Sequence, residues 1–86
     1  MTYNIVYTKQ ALKAFKGIPK DTSRIIRMKL EQIAEDPFTS HHNVTKLQGR
    51  DGYRLRQGDW RVIYEIQKEK ILILVLDVAL RKEVYR

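Results

Sequence analysis

The chain has 86 residues, enough for one hydrophobic core, so we predict that residues 1–86 form a single domain. It contains no cysteine, which excludes disulfides, thiolate nucleophiles and cysteine-ligated zinc. Seventeen Lys and Arg side chains outnumber ten Asp and Glu, and the net charge of +7 favours an anionic partner, either nucleic acid or an acidic protein. The longest apolar run, residues 71–76, is too short for a membrane span, and the sequence begins without a signal-peptide pattern, so we expect a cytoplasmic protein.

The first half of the chain predicts one strand followed by two helices. Residues 1–7 alternate in polarity, as a strand does. Thr8 is a suitable N-cap for a short helix over Lys9–Lys16, which Gly17 ends. Apolar residues spaced by three and four predict a second helix over Lys20–Glu35, and Asp36-Pro37 ends it. Residues 38–50 are polar and predict a loop.

The second half changes to strand periodicity. Residues 53–56 and 60–66 alternate around a turn at Gly58-Asp59, which predicts a hairpin. Residues 71–78 are apolar on both faces apart from Asp77, as in a strand in the middle of a sheet. We therefore predict an α+β fold, β-α-α-β-β-β, with two N-terminal helices packed on one face of a small, mostly antiparallel four-stranded sheet.

A two-residue turn at Gly58-Asp59 fixes which residues of the hairpin face each other. It pairs Arg56 with Arg61, and it places Arg54 on the same face, opposite the face that packs on the helices. Arginines directly opposite each other on neighbouring strands repel, which is costly in a sheet built only for stability. Guanidinium groups bind phosphate bidentately, so this pattern favours a face exposed for a phosphodiester, against the alternative of arginines that are merely solvated.

The last residues add further cations and an aromatic ring. Arg81 and Lys82 follow the apolar strand, and Tyr85 offers a ring that can stack on a base and a hydroxyl that can donate or accept a proton. Lys46 is another basic group in the segment before the hairpin. The adjacent His41 and His42 would point apart in a loop, so we interpret them as ordinary loop residues, and no spacing indicates a metal site.

Taken together, the hairpin residues 53–64, the apolar strand and the ending Arg81-Lys82-Glu83-Val84-Tyr85-Arg86 resemble the RelE/ParE superfamily of bacterial toxins from type II toxin–antitoxin systems, nearest its RelE branch. Ala11-Leu12, Phe15 and Ile18-Pro19 fit the helical half of that family, so the resemblance covers essentially the whole chain.

The resemblance implies a microbial RNase fold and a ribosome-dependent endoribonuclease (mRNA interferase) that cuts mRNA in the A site, without a metal or other cofactor, by attack of the RNA's own 2′-OH. By the same resemblance, Arg61, Arg81 and Tyr85 occupy catalytic positions, and Arg54 and Arg56 occupy RNA-binding positions, to which we add Lys46 and Lys82. The implied partners are the ribosome, mRNA and a cognate antitoxin, with no membrane and with DNA contacted only through the antitoxin.

Two departures from the family bear on mechanism. The best-known member has lysines where this chain has Arg54 and Arg56, and arginine cannot serve as a general base. Ala79-Leu80 stands where many relatives have Gly-His or Gly-Lys. Three alternatives stay open at this point: a ParE-like toxin that inhibits DNA gyrase and is not a nuclease, a basic RNA-binding module without turnover, and a degenerate toxin that retains only antitoxin binding.

Overall fold

The computed structural model describes residues 2–80, which form two helices and a five-stranded sheet. In chain order the elements are β1 (Asn4–Tyr7), α1 (Lys9–Lys16), α2 (Lys20–Glu35), β2 (Val44–Lys46), β3 (Tyr53–Gln57), β4 (Trp60–Gln67), a 3-10 turn (Lys68–Lys70) and β5 (Leu72–Leu80). The α+β class, both helices and the three long strands after them are as the sequence predicts.

The predicted strand count of four is wrong, because a fifth strand, β2, lies in the segment expected to be a loop. It pairs antiparallel with β3 over only three residues, from Val44 opposite Leu55 to Lys46 opposite Tyr53. Only Val44 of β2 is partly buried against the core, so the sequence of β2 carries no apolar alternation that would reveal it. The backbone hydrogen bonds to β3, rather than hydrophobic burial, define this edge strand.

The sheet order is β1-β5-β4-β3-β2, and every neighbouring pair is antiparallel except β1 with β5. The parallel pair joins residues far apart in the chain, with Ile5 opposite Ile73 and Tyr7 opposite Val75. Thr8 stabilises this junction through two hydrogen bonds. Its hydroxyl donates to the carbonyl of Leu76 (2.9 Å) and accepts from the N–H of Ala11 (3.1 Å). One side chain therefore caps α1 and links it to β5.

Both helices pack on one face of the sheet, which we call the inner face. Its core is formed by fully buried side chains from α2 (Ile26, Leu30) and from β4 and β5 (Val62, Ile73). The opposite, outer face of β3 and β4 carries Arg54, Arg56 and Arg61. No helix among residues 2–80 is both long and apolar enough to cross a membrane.

Candidate nucleic-acid interface

The β3–β4 hairpin has the register that the sequence predicts. Arg56 lies opposite Arg61, Arg54 opposite Ile63, and Leu55 opposite Val62. Leu55 and Val62 are at most 1% exposed and belong to the core, so their strand neighbours Arg54, Arg56 and Arg61 project from the outer face. Gly58, with φ of +59°, provides the left-handed conformation that a two-residue hairpin turn requires.

The three arginines share the outer face but differ in exposure. Arg56 is exposed, whereas Arg61 is only 6% exposed. Arg61 lies along the sheet and turns its head group back to the hairpin turn, where Nη1 donates to the carbonyl of Gly58 (3.1 Å) and to that of Trp60 (3.2 Å). A long aliphatic stem makes such a buried course possible for a charged side chain.

These contacts fix the guanidinium of Arg61 without neutralising it. Within residues 2–80, the Nε of Arg61 is buried and has no hydrogen-bond partner, and neither Arg61 nor Arg56 forms an ion pair with a carboxylate. A buried charge that keeps an unused donor is costly in a protein interior. The guanidinium of Arg61 is therefore held in a fixed position with its charge uncompensated by any described carboxylate, which suits the binding of an anion beside it.

Lys46 does not join the arginines. It pairs with Tyr53, whose side chain lies on the inner face, so the pleat of the sheet points Lys46 away from the outer face. Lys46 is exposed at the edge strand, and its predicted role in binding RNA stays a prediction. Arg81, Lys82 and Tyr85, the other residues predicted for the site, lie outside the described residues.

The tyrosines of the hairpin belong to the core side of the sheet. Tyr53 and Tyr64 stack with ring centroids 5.5 Å apart on the inner face, and Tyr64 is 1% exposed. Burial, and to a lesser degree the neighbouring Tyr53, raises the pKa of Tyr64 well above its ordinary value. Tyr64 is therefore a neutral core residue that does not reach the arginines.

The two histidines lie across the sheet from the arginines. His41 and His42 line a small cavity of about 90 Å³ on the inner side, together with Leu55 and residues of α2. Nε2 of His41 lies 2.7 Å from the carbonyl oxygen of Asp36, so this ring holds the loop that follows α2. In the part of the chain that the structure describes, no group of three or more His, Asp or Glu side chains could hold a metal ion.

One residue of the outer face was noted in the sequence only as an exception in an apolar strand. Asp77 of β5 lies opposite Ile63, which itself lies opposite Arg54, so the three residues form one row across β5, β4 and β3. The signal that could have identified it is the lone charge within residues 71–78. Its position depends on an irregularity of β5 that the sequence pattern does not reveal.

Comparison with known proteins agrees with this fold and length. Residues 5–85 match the model of a family described as the ParE toxin of the type II toxin–antitoxin system parDE. The mRNA interferase toxin RelE of Escherichia coli strain K12 is 24% identical over 87 residues, covering 99% of this chain and 92% of that protein.

Two solved structures are also similar over nearly their whole length. One is the archaeal RelE–RelB complex from Pyrococcus horikoshii OT3, with a TM-score of 0.80, 33% identity and coverage of 94% of this chain and 97% of that chain. The other is a mutant of the E. coli toxin RelE in the free state, with a TM-score of 0.81, 29% identity and coverage of 99% and 92%. Because the family model spans nearly all of the chain and these relatives are RelE proteins, this chain belongs to the ParE toxin family of type II toxin–antitoxin systems, in its RelE branch.

Proposed function

We propose that this chain is an mRNA interferase that cleaves mRNA in the ribosomal A site by attack of the RNA 2′-OH on the adjacent phosphate. The observation that carries the proposal is the pair of Arg56 and Arg61, directly opposite each other on the outer face and without an ion pair to any carboxylate among residues 2–80. The name of the E. coli relative, an mRNA interferase toxin, supports the same chemistry. The products would be a 2′,3′-cyclic phosphate and a 5′-OH.

Arg61 suits stabilisation of the transition state. The attacked phosphate gains negative charge, and catalysis is greatest when donors are already fixed where that charge develops. The carbonyls of Gly58 and Trp60 hold the guanidinium of Arg61 in place, and its Nε has no partner among residues 2–80. We assign Arg81 to the same task and Tyr85 to base stacking or proton transfer, on the family resemblance alone.

Arg54 and Arg56 suit binding of the RNA backbone. They extend the positive face along β3 from the row of Arg61 to the row of Ile63. A guanidinium has a fork of donors that matches two phosphate oxygens, and it stays charged at all physiological pH values. We assign both arginines to orienting the phosphodiester, and neither to proton transfer.

We also propose a cognate antitoxin as the physiological partner and the cytoplasm as the place of action. The P. horikoshii relative was solved as a complex of RelE with RelB. This chain offers a basic surface together with exposed apolar side chains on several elements (Val6, Leu12, Met28, Leu80), a combination that suits an acidic, amphipathic protein.

The test is cleavage of ribosome-bound mRNA by purified protein, with mapping of the cut ends. We expect cuts within the A-site codon, 5′-OH ends and no inhibition by EDTA. Arg61→Met should reduce the cleavage rate by about 10²–10³-fold, as loss of one oxyanion donor does in other enzymes. Arg24→Met is the matched control, because Arg24 is exposed on α2 and its side chain has no place in the site. Ends carrying a 5′-phosphate, or full activity of Arg61→Met, would contradict the proposal.

The same preparation separates the competing functions. A ParE-like gyrase inhibitor would leave mRNA intact and block supercoiling of plasmid DNA by gyrase. An RNA-binding module would bind RNA with a steep salt dependence and release it uncut. Of the two, gyrase inhibition has the more specific support, because the matching family model is named for ParE.

A further inference from the structure

On β5, the outer face carries a carboxylate in the row next to the arginines, that of Asp77. Asp77 lies opposite Ile63, and Arg61 is the next outward residue of β4 toward the turn, which places the Cα atoms of Asp77 and Arg61 about 7–8 Å apart. Arg54 lies two strands away in the same row, at about 10 Å by the usual strand spacing. Side chains that reach toward each other across this width can enclose a phosphodiester.

A β-bulge aims Asp77 at this face. Ile73 and Val75 point into the core, so regular alternation would also point Asp77 into the core. The register instead shifts between Ile63 and Tyr64: Tyr64 pairs with Val75, whereas Ile63 pairs with Asp77. The extra residue turns Asp77 outward, which is what bulges beside active sites commonly achieve.

The carboxylate keeps one oxygen available. Its Oδ1 accepts the N–H of Val78 at 2.9 Å, and within residues 2–80 Asp77 forms no ion pair. The second oxygen therefore has no partner among the described side chains. Asp77 is only half-buried, so a ligand can still reach its carboxylate.

The charged groups around Asp77 are mostly cationic. From β4 and β3 the outer face presents Arg61, Arg54 and Arg56, and Glu65 lies one outward position beyond Ile63. A carboxylate can accept a proton, whereas the neighbouring guanidinium groups cannot.

We propose that Asp77 is the general base of the cleavage reaction, an inference that rests on the proposed function. The reaction needs a group that takes the proton of the 2′-OH, and the three arginines cannot. Tyr53 and Tyr64 lie on the inner face. Asp77 is thus a described side chain that shares the outer face with Arg61 and can accept a proton.

The step balances as a transesterification. The free oxygen of Asp77 takes the 2′-OH proton while the 2′ oxygen forms a bond to phosphorus. The bond from phosphorus to the 5′ oxygen breaks, and that oxygen takes a proton from solvent. Asp77 then returns its proton to water, so no oxidant or co-reactant is required.

The first test measures rate and binding separately for Asp77→Asn. We expect the single-turnover cleavage rate on ribosome-bound mRNA to fall about 10²–10⁴-fold. The affinity for RNA should stay equal or increase, because a negative charge has been removed beside a polyanion. Glu65→Gln is the matched control and should cleave at the wild-type rate. A carboxylate that merely repels RNA would give tighter binding and undiminished cleavage in Asp77→Asn, and that result would overturn the proposal.

A second substrate tests whether Asp77 is a general acid instead, and a second variant tests whether its role is only structural. RNA with sulfur in place of the 5′ oxygen at the cut site has a leaving group that needs no acid, so we expect the Asp77→Asn defect to persist on it. Full rescue would overturn the assignment, because it would identify Asp77 as a general acid. Asp77→Ser retains an acceptor for the Val78 N–H, so it should unfold at the wild-type temperature and be equally slow. If wild-type protein leaves ribosome-bound mRNA uncut, the proposed function fails and Asp77 is not implicated.

Discussion

Replacing Arg56 by Gln should raise the free energy of unfolding and lower the affinity for RNA. Arg56 faces Arg61 across the hairpin, and like charges directly opposite each other in a sheet cost roughly 0.2–1 kcal/mol. Arg56 is exposed, so solvent screening places the expected gain near the middle of that range, about 0.5 kcal/mol. For a domain of this size that gain raises Tm by about 2–4 °C. Arg56→Glu replaces this repulsion by an attraction to Arg61 and should gain about 1 kcal/mol.

The assay is urea unfolding followed by circular dichroism at low and high salt. The gain should shrink at about 1 M NaCl, where the Debye length falls to roughly 3 Å. Arg50→Gln is the matched control, because it removes one positive charge from the loop before β3 without a facing arginine, and it should leave stability unchanged. A less stable Arg56→Gln, or a gain that salt does not alter, would refute the cross-strand repulsion. Both Arg56 variants should bind RNA more weakly than wild type.

Three further outcomes follow from the geometry. Thr8→Ala should lower the free energy of unfolding by about 1–2 kcal/mol in a chemical denaturation curve, because it removes the cap of α1 and the bond to Leu76, while Thr8→Ser should restore most of it. Gly52→Ala should destabilise by about 2–3 kcal/mol, because φ is +120° and a Cβ would lie 3.1 Å from the carbonyl oxygen of Tyr64. Gly49→Ala, with open space around it, should cost only about 1–2 kcal/mol, and equal losses for the two would contradict this account. Because burial raises the pKa of Tyr64, its contribution to stability is complete below about pH 10, where an unfolded tyrosine ionises, and is lost as the pH rises further. Tyr64→Phe should flatten the alkaline fall in Tm, and an unchanged slope would speak against a buried phenol.

The sequence was sufficient where local chemistry decides the structure. The Gly58-Asp59 turn and strict alternation fixed the pairing of Arg56 with Arg61, and the Thr8 cap and the break at Asp36-Pro37 fixed the helix ends. The short β2 strand was not predictable in this way, because it pairs through its backbone and buries little side chain.

The parts of the site that escaped prediction depend on non-local packing. In the sequence, Arg61 is one of three arginines that look equivalent. In the structure it is buried, and the carbonyl of Gly58 in the turn binds its head group. Asp77 reads as an interruption of an apolar strand, and only the register of β5 against β4 shows that it faces the arginines. The bulge allows both Val75 and Val78 to point into the core although they are three residues apart, which strict alternation in a strand would not allow.

The parallel pairing of β1 with β5 has a consequence for how the protein folds during its synthesis. Thr8 bonds to a carbonyl 68 positions further along the chain, so β1 has no sheet neighbour until β5 has been synthesised. Contacts this distant in sequence form slowly, because a long loop must close before they contribute any stability. The β3–β4 hairpin that carries the arginines can form earlier from local contacts, but β5, the strand that pairs with β4, is synthesised after it. A ribosome making this polypeptide must therefore synthesise every strand from β1 to β5 before the nascent chain can assemble the sheet that carries the arginines.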